Sequence, residues 1–219
     1  MGIIERKQRL RTYLRIKILN AALSLAKKEG WQALSMRRMA ESIEYTTPVL
    51  YEYFDSKDGL LKELTKLGFV RLVKIIAKVE KEQTTPEQKL ESMWMAYWEF
   101  AMADKELYQL MFGVGTVCFM DSCADHELIE LSVRMQEVIR EAFHIGEDLK
   151  ALVTSKYCTY WSAVHGLIAM AFIHREGTTS FNRELLLTVL KRIAAEPFPD
   201  AYGVSRKMDS KTNIDKRTS

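Results

Sequence analysis

Apolar residues recur at helical spacing near the start of the chain. They share one face of a predicted helix and are Leu14, Ile18, Ala21, Ala22 and Leu25. Two lysines follow in the last turn, and Gly30 comes directly after the turn, as is typical of a helix C-terminus. The pattern therefore predicts a first helix from about Thr12 to Glu29.

Two short helices are predicted next, separated by three residues. Ser35 is a capping residue before an apolar repeat made of Met36, Met39, Ala40 and Ile43. Thr47 is a capping residue for the third helix, and Pro48 suits its first helical position. Its inward stripe consists of Leu50, Tyr53 and Phe54. Two short helices around a brief turn indicate a helix-turn-helix.

Beyond Asp55 the pattern predicts further helices and no strands. Ser56 caps a long helix that reaches about Glu82, and Thr84-Thr85-Pro86 opens one that reaches about Ala103. The other expected helices cover residues 105–112, 127–143, 147–175 and 181–195. Residues 113–124 have no clear pattern, and the polar residues 197–219 are expected to form a mobile tail. The expected fold class is all-α.

Charge is distributed unevenly along the chain of 219 residues, although its net charge is only +3. Residues 1 to 80 contain 16 Lys and Arg and 9 acidic residues, whereas residues 81 to 202 contain 11 and 18. A basic head on an acidic body suggests that the head meets a polyanion, although a solvated basic face would look the same. The segment from Arg6 to Lys17 is read either as a flexible basic arm that contacts phosphates or as an ordinary exposed face.

Three cysteines, an odd count without framework spacing, predict a reducing, cytoplasmic location. The longest apolar run, Trp161 to Ile173, is shorter than the roughly 20 residues of a membrane-spanning helix, so no membrane partner is expected. Cys123 and His126 lack the second ligand pair that zinc needs, so no metal is expected. No cofactor is expected either, because phosphate-binding and dinucleotide-binding motifs are absent.

The outer face of the third helix is polar and carries Thr47, Tyr51, Glu52 and Asp55. Recognition helices present such a face to the major groove of DNA. Lys57 lies in the first turn of the following helix, where a cation opposes the helix dipole. A bound phosphate would reverse that unfavourable interaction.

One stretch carries a family resemblance. Residues 50–61, Leu-Tyr-Glu-Tyr-Phe-Asp-Ser-Lys-Asp-Gly-Leu-Leu, follow Ser35-Met-Arg-Arg-Met-Ala40 and the first helix. Together they resemble the DNA-binding domain of tetracycline-repressor-type (TetR family) regulators over about residues 12–66. Trp161-Ser-Ala-Val-His-Gly166 is similar to the Trp-His-Gly signature of one C-terminal subgroup, and Tyr108-Gln-Leu-Met-Phe-Gly113 to its earlier helix.

The resemblance implies a homodimer that inserts its two third helices into successive major grooves of operator DNA. The residues that it places at the DNA are Arg37, Thr46, Thr47, Tyr51, Glu52, Tyr53 and Lys57. Tyr53 could equally belong to the core, and Glu52 could read a cytosine or repel phosphate. The family usually has glycine where this chain has Glu44, which leaves the geometry of the turn open.

The resemblance also implies an inducer pocket in the helical body. The predicted helix from Met93 to Met102 is apolar on every side, so it is either surrounded by core or lines a cavity. The expected ligand-binding residues are Trp94, Tyr97, Trp98, Tyr108, Met111, Phe112, Trp161 and His165. His165 could instead be a core or interface residue. Methionine and aromatic walls favour a small apolar or aromatic effector.

The last two predicted helices each carry an apolar stripe that favours dimerisation through a four-helix bundle. The expected interface residues are Tyr157, Trp161, Val164, Gly166, Ile168, Phe172, Leu186, Val189, Leu190 and Ile193. The long helix after Ser56 is expected to link the effector pocket to the DNA, with Leu60, Leu64, Leu67 and Arg71 facing inward.

These features predict three parts. Residues 1–55 form a three-helix helix-turn-helix domain, residues 56–196 a helical ligand-binding and dimerisation bundle, and residues 197–219 the tail. The expected function is ligand-responsive transcriptional regulation, most simply repression, without enzymatic activity. The alternatives are a helical enzyme that binds small molecules and a DNA-associated structural protein that senses no ligand.

Overall fold

The computed structural model describes residues 2–113, 125–173 and 179–196. The helices are α1 (Ile3–Glu29), α2 (Met36–Ser42), α3 (Thr47–Tyr51), α4 (Lys57–Glu82), α5 (Pro86–Ala103), α6 (Lys105–Phe112), α7 (Asp125–Ala142), α8 (Lys150–Ile173) and α9 (Thr179–Ala195). Single 3-10 turns cover Trp31–Ala33 and Glu147–Leu149. No strand occurs in these ranges, and the all-α fold class is confirmed.

Most helix bounds lie close to those that the sequence predicts, but α1 starts about nine residues earlier than expected. Residues 4–13 are all exposed, so this part of the helix has no buried face and no apolar period to reveal it. The reading of Arg6 to Lys17 as a flexible arm is therefore wrong, because this segment is helical. The predictions for residues 114–124 and for the tail after 196 concern residues outside the described ranges.

The start of α3 also differs by one residue from the prediction. Thr46, not Thr47, occupies the cap position, and its side chain makes no capping hydrogen bond. Thr47 and Pro48 are the first two helical residues. Helix ends commonly shift by a residue between criteria, and Pro48 is tolerated because the first turn has no intrahelical acceptor for its missing N–H.

The chain forms two compact units. The first contains residues 1–82 and 96–134, and the second contains residues 83–95 and the chain from 135 onward. Helices α5 and α7 thus each contribute to both units. The division at residue 55 that the sequence suggests remains a prediction about function.

The core of the first unit surrounds the helix-turn-helix. Its fully buried members include Ile18, Ala22, Met39 and Leu50 from α1, α2 and α3. Further buried leucines come from α4 and α6, namely Leu60, Leu61, Leu64 and Leu110. The short helices α2 and α3 are therefore fixed by tertiary burial, since helices of this length are unstable alone.

Helix α4 packs against α6 at a glycine. A β-carbon on Gly68 would lie 2.9 Å from Met111 Cγ and 3.3 Å from Leu107 Cδ1, so any larger residue would displace the Met111 side chain. The inward face of α4 accordingly continues through Gly68, Leu72 and Ile76. Of the residues predicted to face inward, Leu60 and Leu64 are buried, whereas Leu67 and Arg71 are half-buried.

In the second unit α8 and α9 pack against each other. Their buried residues include Tyr160, Val164 and Ile168 from α8 and Leu186 and Leu190 from α9. Although α8 is apolar on most of its surface, no helix in the described ranges is long and apolar enough to cross a membrane.

Candidate nucleic-acid interface and ligand cleft

The turn between α2 and α3 is a helix-ending motif with an unusual residue. The amide N–H of Tyr45 donates to the Ala40 carbonyl at 2.9 Å, and that of Glu44 donates to Glu41 at 3.3 Å. This pair of bonds requires a left-handed residue between them, and Glu44 has a φ of 62°. The turn thus keeps the geometry that suits glycine, although glutamate occupies the position.

Substitution of Glu44 by glycine is expected to stabilise the protein by about 0.5–1 kcal/mol, because the left-handed conformation costs a non-glycine residue about 1–2 kcal/mol and the added freedom of the unfolded chain returns part of it. Chemical denaturation would measure the change. Glu52→Gly is the matched control, because Glu52 has an ordinary φ of −68° and should lose stability. An equal loss at both positions would contradict strain at Glu44.

The outward surface of α3 is small and polar. Tyr51 is 50% exposed, Thr46 and Glu52 are also exposed, and Thr47 is half-buried. Tyr53 is partly buried and packs against the core, so of its two readings the structure supports the core contact. The remaining predicted residues of α3 lie together on a surface that DNA bases or phosphates could reach.

Two basic residues of α1 donate hydrogen bonds to backbone carbonyls of the helix-turn-helix. The Arg15 guanidinium donates to the Tyr53 carbonyl at 2.9 Å, forms an ion pair with Glu63 at 3.0 Å, and lies 4.5 Å above the Phe54 ring. The Lys17 ammonium donates to the Ile43 carbonyl at 3.2 Å. Both cations satisfy carbonyls at the ends of short helices, a role that depends on contacts distant in sequence and that the sequence pattern did not reveal.

Two predicted DNA contacts, Arg37 and Lys57, have partners within the chain. Arg37 is exposed and pairs with Glu41 at 2.8 Å, and this hydrogen bond raises the pKa of the guanidinium. Lys57 is the first residue of α4. The preceding Ser56 caps this helix, since its hydroxyl accepts from the Gly59 amide at 3.0 Å. The Lys57 ammonium donates to the Trp31 carbonyl across 3.4 Å, a long bond that occupies one of three donors.

Helix α6 is joined to the back of the helix-turn-helix. The Trp31 indole donates to the Glu106 carbonyl at 2.9 Å, Lys27 forms an ion pair with Asp104, and Leu110 belongs to the helix-turn-helix core. The position of α6 is thereby linked to the position of α1 in the first unit.

Several residues predicted to line a pocket contact one another in the first unit. The Tyr97 and Tyr108 hydroxyls lie 3.2 Å apart, and the Tyr108 and Phe112 rings are 4.6 Å apart. Burial raises the pKa of Tyr108, so the phenol stays neutral. Trp98 and Met111 are buried as well. All five residues are buried in the first unit, and their role in a ligand pocket stays a prediction.

The second unit contains a cleft with a volume of about 470 Å³. It is lined by Glu87, Leu90, Glu91, Trp94, Ala142, Phe143, Tyr160, Leu190, Lys191, Ala194 and Ala195. Among the predicted ligand residues, only Trp94 lines this cleft. Trp161 and His165 lie elsewhere on α8, with ring centroids 4.9 Å apart, and burial lowers the pKa of His165. The sequence signal that could have located the cleft is the helical spacing of residues 87, 90, 91 and 94, which places them on one face of α5.

The predicted dimer residues fall into two groups. Five of them are buried inside the chain and have no surface left for a partner: Val164, Ile168, Leu186, Leu190 and Ile193. The other five keep exposed surface: Tyr157, Trp161, Gly166, Phe172 and Val189. The first group is corrected to intrachain core, because the apolar stripes of α8 and α9 pack against each other within one chain.

The described residues combine a helix-turn-helix, whose last helix has an exposed polar face, with a helical body. The chain belongs to the tetR family of bacterial regulatory proteins. The model described as "Bacterial regulatory proteins, tetR family" matches residues 18–64, and "Tetracyclin repressor-like, C-terminal domain" matches residues 90–197. The match to a Trp-His-Gly subgroup remains a prediction.

The chain is similar to characterised repressors over part of its length. It is 35% identical over 133 residues to the HTH-type transcriptional repressor KstR of Mycolicibacterium smegmatis, which covers 61% of this chain and 64% of that protein. It is 41% identical over 58 residues to KstR of Rhodococcus jostii, which covers 26% and 27%. The matched segments thus span less than two thirds of these relatives.

Solved structures share the fold. A protein of unknown function from Rhodococcus sp. RHA1 is 21% identical with a TM-score of 0.67, over 83% of this chain and 93% of that chain. The fatty acid degradation regulator FadR from Bacillus halodurans is 16% identical with a TM-score of 0.66, over 84% and 97%. At these identities the likeness concerns the fold alone.

Proposed function

We propose that the protein is a ligand-responsive transcriptional repressor that acts in the cytoplasm and binds operator DNA as a homodimer. The observation that carries this proposal is the polar, exposed face of α3, held in place from behind by Arg15 and Lys17. A rigid backbone behind a small exposed face is what base recognition needs, because misplacement by a fraction of an ångström loses hydrogen bonds.

The roles on α3 follow from exposure. Tyr51 and Thr47 would contact bases or the adjacent backbone, while Thr46 and Arg37 would contact the DNA at the edges of the motif. Glu52 would lie near the duplex, where it either accepts from a cytosine amine or limits binding by repulsion. Tyr53 would act mainly through the core that fixes α3.

A titration of labelled DNA tests this proposal. The region upstream of the chain's own gene is compared with random DNA of equal length by fluorescence anisotropy, and specific binding should be at least about 10³-fold tighter. Tyr51→Ala should reduce the free-energy difference between specific and random binding by about 1–3 kcal/mol, because the tyrosine reads a base. Tyr51→Phe keeps the ring and is the matched control. Equal binding to both DNAs, unaffected by Tyr51→Ala, would contradict the proposal.

Lys57 is expected to contact a phosphate, which would meet its ammonium and the first turn of α4 together. Lys57→Ala should weaken binding to every DNA sequence about equally and lower the slope of log affinity against log salt by about 1. Lys74→Ala is the control, because Lys74 is an exposed lysine about 25 Å further along the same helix. An altered sequence preference with an unchanged slope would reject the phosphate role.

The dimer interface is proposed on the outer face of α8. Met170 is 54% exposed and Ile173 is 75% exposed, and Trp161 and Phe172 are only half-buried within the chain. Gly166 lies on the same side of α8 as Met170 and Ile173, and a β-carbon there would meet nothing within 4 Å. A second copy of this chain fits this face, because the repressor needs two recognition helices for two half-sites.

The effector would act through unequal affinity for the DNA-bound and DNA-free conformations. Helix α5 carries Trp94 in the second unit and ends next to Asp104, which pairs with Lys27 of α1. A small apolar or aromatic ligand that moves α5 would therefore displace α1 and α6, and with them the spacing of the two recognition helices. By reciprocity, operator DNA weakens ligand binding by the same factor.

A further inference from the structure

The cleft of the second unit has a largely apolar lining. Leu90, Trp94, Tyr160 and Leu190 are buried, and Phe143 is half-buried beside them. The Trp94 and Tyr160 rings are stacked, with centroids 5.7 Å apart and planes 15° apart. The volume of about 470 Å³ lies within the range of small-molecule sites.

The rim of the cleft carries net negative charge. Glu87 and Glu91 lie one turn apart on α5, and Lys191 from α9 is the one cation in the described lining. The neighbouring Lys89 pairs with Glu141 at 3.8 Å and so adds little field. The Lys156 ammonium donates to the Glu196 carbonyl at 3.1 Å and lies 5.0 Å from the Phe143 ring. Among the lining residues themselves, two carboxylates oppose one ammonium.

Tyr160 adds a polar group to the lining of the cleft. Tyr160 is 1% exposed, and its hydroxyl has no hydrogen-bond partner among the described residues. Burial raises the pKa of Tyr160, so its hydroxyl remains a neutral donor. The hydroxyl is not among the fully buried unpaired atoms of the described residues, so water reaches it, and an acceptor atom on a ligand would take the place of that water.

We propose that this cleft binds a lipophilic cation: an aromatic body against the apolar wall of the cleft, an acceptor atom near the Tyr160 hydroxyl, and a protonated amine at Glu87 and Glu91. This identifies the chemical class of the effector, and the effector role rests on the proposed repressor function. Binding to the cleft does not depend on that function.

The test uses three ligands that share the naphthalene ring system and differ in charge: naphthylmethylamine, naphthylmethanol and naphthoate. Calorimetric titration of the full chain should give the tightest binding for the amine, about fivefold tighter than the alcohol, with naphthoate weakest. The preference should shrink at high salt, because the rim carboxylates are exposed. The double variant Glu87→Gln and Glu91→Gln should remove the preference and keep the affinity for the alcohol.

Two further variants locate the site. Ala195→Trp fills the cleft from an exposed position and should abolish binding of all three ligands, whereas Ala151→Trp, at an exposed position of α8 outside the lining, should not. Replacing the naphthalene by quinoline adds a ring acceptor and should tighten amine binding about threefold, a gain that Tyr160→Phe should cancel.

Equal affinity for the three ligands, tighter binding of naphthoate, or full binding to Ala195→Trp would overturn the proposal. These titrations contain no DNA, so a failure of the repressor function would appear only in the operator titrations described above.

Discussion

Substitution of Gly166 by arginine is expected to convert the dimer into a folded monomer. Glycine in the middle of a helix costs about 1 kcal/mol relative to alanine, and nothing within 4 Å in this chain requires it. A close approach of a second copy is the physical reason that remains. An unpaired arginine buried there would cost about 3–5 kcal/mol, which raises the dimer dissociation constant by about 10²- to 4 × 10³-fold.

Sedimentation velocity measures the outcome, and circular dichroism checks that the monomer keeps its helices. Gly166→Ala is the matched control, since it adds one methyl group and should leave the dimer largely intact. Because two half-sites must be bound together, Gly166→Arg should also lose most of its operator affinity. A stable Gly166→Arg dimer would move the interface away from this face of α8.

Substitution of Gly68 by alanine is expected to destabilise the protein by about 2 kcal/mol, even though alanine favours a helix. The new β-carbon would overlap Met111 at the contact between α4 and α6. Chemical denaturation gives the free energy of unfolding. Gly59→Ala in the same helix is the matched control, because its β-carbon would meet only Ser56 Oγ at an ordinary 3.4 Å, so stability should hold or rise.

The double variant Gly68→Ala and Met111→Ala separates overlap from other effects. Met111→Ala alone should cost about 2–5 kcal/mol, because the side chain is buried. In the double variant the new methyl group partly fills the space that methionine leaves, so the combined loss should be smaller than the sum by at least about 1 kcal/mol. Simple additivity would contradict the packing of α4 against α6.

The features that the sequence predicts well are those with a local physical cause. The bounds of α4, α5 and α6 follow from nearby capping residues, such as Ser56 before α4, and from apolar spacing within each helix. The start of α1 was missed because exposed helical turns need no apolar face. Glu44 shows that residue type alone does not fix the turn. The turn needs a residue in the left-handed conformation, and the surrounding core holds glutamate in that conformation although glycine would adopt it more easily.

The site was predictable on α3 and much less so in the helical body. Tyr51 and its neighbours are adjacent in sequence, so their shared face follows from one short helix. The hydrogen bonds from Arg15 and Lys17 depend on carbonyls 38 and 26 residues away. The lining of the cleft comes from four helices. Apolar periodicity alone could not distinguish Trp94, which lines the cleft, from the buried residues Tyr97 and Tyr108, which do not.

The most direct test of the central claim, that α3 of each subunit reads operator DNA, is a hydroxyl-radical footprint on the upstream region. The account predicts two protected patches on one face of the duplex, with centres about one helical turn of 34 Å or a multiple of it apart. Both patches should disappear in Tyr51→Ala under conditions where Tyr51→Phe retains them. Uniform protection, a single patch, or a footprint that survives Tyr51→Ala unchanged would contradict the account.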